Sequence, residues 1–105
     1  MKIKIETQVL AGNFDWWGDG YQEFAGIYCE RLREAWERDI APLRREGHEV
    51  EIVIDFQPNA TGARDQEVWV TATGEDLDQE DEIERAVTAS LTEEDYVLDQ
   101  LTREY

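Results

Sequence analysis

The chain has 105 residues, with 26 Asp and Glu against ten Lys and Arg, a formal net charge of −16. A surface this acidic repels nucleic acid and anionic membrane, which excludes direct binding to either and favours proteins that grip phosphate. A hydrophobic content of 41%, with four Trp, excludes a disordered acidic tail.

No apolar run reaches the roughly 18 residues of a membrane span. The single Cys29 rules out an intramolecular disulfide. Met1 to Glu6 lacks the apolar stretch of a secretion signal, so one domain in a reducing cytoplasm is expected.

Lys2 to Leu10 alternates, with Ile3, Ile5 and Val9 on one side and Lys2, Lys4, Glu6 and Gln8 on the other, which predicts a half-buried strand. A Gly-rich aromatic loop, Gly12 to Gly20, follows, and Asp19 with Gln22 reads as a capping box. Phe24, Tyr28, Leu32, Ala35, Trp36, Ile40 and Leu43 then recur at helical spacing. Pro42 is expected to kink or end this helix near Ala41.

Glu49 to Phe56 alternates again, and Gln66 to Thr73 predicts a third strand with Trp69 on its opposite face, to be covered by the C-terminal segment. Ile83, Ala86, Val87 and Leu91 space a short helix. Thr92 is expected to cap a second one, with a staple between Leu91 and Tyr96.

The order β-α-β-β-α-α predicts an α+β fold. It has a three-stranded, mostly antiparallel sheet, the long helix on one face and two short acidic helices at the C-terminal end. The helical connection allows strands one and two to run parallel, and the third strand is expected between them.

The residue types of common enzyme chemistry are sparse. His48, the only histidine, sits in a turn between Glu46 and Glu49 and reads as a solvated turn residue. Cys29 reads as a packed thiol. The Asp15 and Asp76 segments start like calcium loops, but they place Gly26 and Val87 where the bidentate Glu belongs. No cofactor or metal is expected.

The carboxylates are ordered. Glu23, Glu30, Glu34 and Glu37 line one helical face at roughly 5–6 Å steps, with Arg38 in reach of Glu34. Glu75, Asp76, Asp78, Glu80, Asp81, Glu82 and Glu84 put seven acids into ten residues, more than helix capping requires. Residues 74–105 hold 12 acids and two bases, a net of −10, whereas residues 1–73 carry only −6. Trp16 and Trp17 either fold back as a core plug or stay out as an interface anchor.

In size, charge and carboxylate rows, Glu30, Glu34, Glu37 and Glu75 to Glu84, the chain resembles the small acidic nucleic-acid mimics encoded by phages and plasmids. These include many anti-CRISPR and anti-restriction proteins. The resemblance implies a non-enzymatic inhibitor in the host cytoplasm that evades defence by blocking a basic nucleic-acid-binding protein. Expected partners are that protein or a second copy of the chain, with no direct nucleic acid and no membrane. Two alternatives compete: an ordinary protein of a salt-loving organism, or an antitoxin or immunity protein that blocks a basic toxin.

Mutual repulsion of this size weakens the folded state, and salt screens it. The melting temperature is therefore expected to rise with added salt in a thermal melt. A flat melting temperature would mean that the charges are already compensated.

Overall fold

The computed structural model describes all 105 residues. It runs β1 (Lys2–Leu10), a 3-10 helix (Ala11–Trp17), α1 (Tyr21–Arg45), β2 (Glu49–Gln57), β3 (Val68–Thr73), α2 (Leu77–Ser90) and α3 (Glu94–Glu104). This is an α+β fold with the expected element order. The alternation of β1 buries Ile3, Ile5, Thr7 and Val9 on one face. Against that face α1 lays Phe24, Tyr28, Leu32, Ala35, Trp36 and Ile40, all buried. Leu43 packs only partly against them.

The sheet order is β2-β1-β3, so β1 lies in the centre and not β3. β1 pairs in parallel with β2 and antiparallel with β3, which makes the sheet mixed. The reason lies in the connections. A parallel neighbour needs the α1 crossover, and residues 58–67 carry the chain from the end of β2 past β1 to its far side. Asn13 pins that loop, its amide donating to the Arg64 carbonyl and its oxygen accepting from the Arg64 N–H, both at 2.8 Å. Gly12 lets the loop come close, because a Cβ there would stand 2.5 Å from the Gly62 carbonyl oxygen.

Several local expectations fail for identifiable reasons. The N-cap of α1 is Gly20, at φ 81°, with no side-chain cap, so Asp19 does not form the capping box. Helix α1 does not end near Ala41 but continues through Pro42 to Arg45, and Pro42 leaves the Arg38 carbonyl without its intrahelical N–H. Thr92 does not cap α3, whose N-cap is Glu93. Tyr96 is exposed and Val97 takes the buried place, so the staple of Leu91 with Tyr96 does not form.

Thr92 has a different use. The Trp36 indole donates to its carbonyl at 3.0 Å, and its own N–H donates to Asp39 at 2.6 Å. Two α1 side chains thus hold the junction of α2 and α3. Val87, Val97 and Leu101 join the same core as α1. The C-terminal helices therefore add to the α1 side and leave Trp69 uncovered, 50% exposed on the other sheet face.

Leu32 is fully buried at the centre of this core. Leu32→Ala is expected to cost about 2–5 kcal/mol through lost burial and a residual cavity. The midpoint of a denaturant titration measures it.

Candidate partner-binding surface

The acids of the α1 row and of the Glu75 to Glu84 cluster divide into two groups by what they do. One group holds the fold together. Glu84 accepts from the Ala72 N–H and Glu80 from the Gly74 N–H, both at 2.8 Å. Two residues of a strand advance about 6.6–6.8 Å, and four residues of a helix about 6 Å, so carboxylates at i and i+4 match every second amide. Helix α2 thus lies along the outer edge of β3 and closes it. Asp76 caps α2, accepting from the Asp78 N–H at 2.9 Å. Glu37 is paired with Arg44, which also donates to the Val50 carbonyl at 2.9 Å on the β2 edge. Arg33 donates to the next outward carbonyl, Ile52, at 3.1 Å.

The other group faces solvent. Glu30 and Glu34 are exposed on the side of α1 opposite its buried stripe, and neither is in an ion pair. The expected partner of Glu34, Arg38, is not within ion-pair distance of it. Glu75, Asp78, Asp81 and Glu82 are exposed around the start of α2, again without ion pairs. Only four of the 26 carboxylates are paired with Lys or Arg. Both lysines lie on the bare sheet face, in register with Glu49 and Glu51.

The aromatic segment is a 3-10 helix, and it sends its rings in different directions. Phe14 is buried, and Trp17 stacks on Phe24 with ring centroids 4.1 Å apart. Trp16 stays 55% exposed, its indole N–H donating to the Asn13 carbonyl at 2.9 Å. Tyr105, which follows α3, joins this cluster. No sequence signal marks that contact, since it depends on where α3 docks.

His48 is half-buried, not solvated. Its Nδ1 is buried without a hydrogen-bond partner, and its Nε2 stands 3.8 Å from Glu46. Burial pushes the Cys29 thiol up to about 12, against the opposing pull of Arg33, so the thiolate nucleophile is suppressed. Burial likewise raises the Tyr28 hydroxyl, which donates to Gln66 at 3.1 Å. Among the carboxylates, Glu94 is raised chiefly by burial, with Asp95 and Glu93 adding to the effect. Glu104 is lowered by its hydrogen bond and ion pair with Arg31. No three His, Cys, Asp or Glu side chains converge as a metal site would require.

Comparison with protein-family models, curated proteins and solved structures finds no match to this chain.

Two outcomes follow from the division of the acids. Glu84→Ala leaves the part-buried Ala72 amide without an acceptor and is expected to cost about 1–3 kcal/mol. Asp81→Ala and Glu82→Ala should be neutral or slightly stabilising in the same denaturant titration. At Glu94 the folded state binds the proton more tightly than the unfolded chain, whose value lies near the ordinary 4.5. Stability is therefore lost as pH rises above that value. Glu94→Gln should raise the melting temperature at neutral pH, and the gain should vanish as pH falls towards 4.5.

Proposed function

We propose that this protein is a non-enzymatic inhibitor of the anti-CRISPR or anti-restriction kind. Its free carboxylates occupy the basic nucleic-acid-binding surface of a defence effector and exclude the nucleic acid. One observation carries the reading: after the fold has used Glu37, Asp76, Glu80 and Glu84, a set of exposed, unpaired acids remains on two helices. Glu30 and Glu34 are one helical turn apart, as are Asp78 and Asp81 or Glu82, a step of about 5–6 Å on the scale of neighbouring phosphates. The partner site is therefore narrower than the sequence suggests. It comprises Glu30, Glu34, Glu75, Asp78, Asp81 and Glu82, with Trp16 and Trp17 beside the other end of the sheet.

Such a surface needs no cofactor. It attracts a Lys- and Arg-lined groove over long range and loses that attraction as salt screens it. A second copy of this chain would meet the same charge and be repelled at these helices.

The test is capture on the immobilised protein from a prokaryotic lysate at low and high salt. A basic nucleic-acid-binding protein should be retained at low salt, released at high salt, and lost with the Asp81→Lys, Glu82→Lys double variant at unchanged melting temperature. If no basic protein is retained at low salt, the acidity is an adaptation to a salty solvent and the proposal fails.

A further inference from the structure

The stacked rings of Trp17 and Phe24, 11° from parallel, are flanked edgewise by two others. Trp16 lies 6.1 and 5.9 Å from them, and Tyr105 6.3 and 6.4 Å. The inner pair is held by the core. The outer rings are not: Trp16 is 55% and Tyr105 66% exposed.

Trp16 is held in place before any partner arrives. The Trp16 indole is tied to the Asn13 carbonyl, and the Asn13 side chain is clamped on the main chain of Arg64. An aromatic surface fixed in this way loses little conformational entropy on binding.

Its charge is one-sided. Asp15 lies in the 3-10 helix, Asp19 in the turn after it and Glu23 in the first turn of α1, and none is in an ion pair. No Lys or Arg occurs in the sequence between Lys4 and Arg31. Arg31 is itself bound to Glu104, and the Arg64 guanidinium is committed to Gln8. Exposed aromatic rings next to a segment of unpaired carboxylates suit a cation that is also flat and weakly hydrated, which is the guanidinium and not the ammonium group. A nucleobase would stack as well, but its phosphates would meet the acids.

We propose that Trp16 and Tyr105, with Asp15, Asp19 and Glu23, form the anchoring patch for an arginine side chain on the basic partner. The inference rests on the inhibitor reading and adds a second contact to it. The patch lies where β1 ends, and the α2 acids lie where it begins, beside the Lys2 and Thr73 pair. A partner touching both spans the nine residues of β1, about 27 Å. Arg64 borders a cleft with Trp16 and another with Trp69, and Trp69, an exposed Trp with no aromatic neighbour, is the natural control.

The test is calorimetric titration with an oligo-arginine peptide and an oligo-lysine peptide of equal length. Oligo-arginine should bind more tightly. Trp16→Ala and Tyr105→Ala should each weaken it by about two- to thirty-fold, the range of a cation–π contact, and Trp69→Ala should not. Tyr105 is exposed and makes no hydrogen bond, so its removal leaves the fold to answer the question even if Trp16→Ala unfolds. Equal binding of the two peptides, or unchanged binding by the Tyr105 variant, overturns the anchor. Loss of oligo-arginine binding only on charge reversal of Asp81 and Glu82 also overturns it, while leaving the charge reading intact. Arginine preference that depends on Tyr105, with no basic protein captured from lysate, would keep the anchor and sink the inhibitor.

Discussion

The interaction on which this structure depends is the hydrogen bond from a main-chain N–H to a carboxylate. With ten basic residues for 26 acidic ones, ion pairs are too few to compensate the acids. The chain turns instead to its own amides. Glu84, Glu80, Asp39 and Asp76 take the N–H groups of Ala72, Gly74, Thr92 and Asp78. Hydrogen bonds to ionised acceptors are shorter and stronger than neutral ones, and they need no counter-charge. Each of these sits at an edge or a junction that would otherwise be open.

The sheet shows the consequence. A three-stranded sheet has two edges and only one central strand, and exposed edges invite pairing with other chains. On β3 the acceptors come from α2. On β2 the donors Arg33 and Arg44 reach from α1 to the outward carbonyls of Ile52 and Val50. The two edges are therefore met by side chains of opposite charge, amides on β3 by carboxylates and carbonyls on β2 by guanidinium groups. Carboxylates used in this way are withdrawn from any partner, which is why the acidic surface is smaller than the acidic sequence.

The core was legible in the sequence because periodicity is a local property. Ile3, Ile5 and Val9 alternate, and Phe24, Tyr28, Leu32, Trp36 and Ile40 recur every turn; all are buried. Strand order was not legible, since it follows from how Gly12 and Asn13 receive the 58–67 loop, a contact between distant segments. The same limit applies to the site. Composition marks Glu75 to Glu84 as one cluster. Only the juxtaposition of α2 with β3 separates Glu80 and Glu84, turned to amides, from Asp81 and Glu82, turned to solvent. Tyr105 likewise enters the aromatic cluster through the docking of α3 on α1.

The central claim is that carboxylates close the β3 edge. It is tested most directly by amide hydrogen exchange at Ala72, compared with Ile54. Outward amides alternate along an edge strand, so Ile54 follows Val50 and Ile52 on the open side of β2, where no acceptor meets its N–H. The account predicts that Ala72 is protected like the amides of β1, that Ile54 exchanges fast, and that Glu84→Ala removes the protection at Ala72 while the β1 amides keep theirs. Exchange at Ala72 as fast as at Ile54 in the unaltered protein would contradict it.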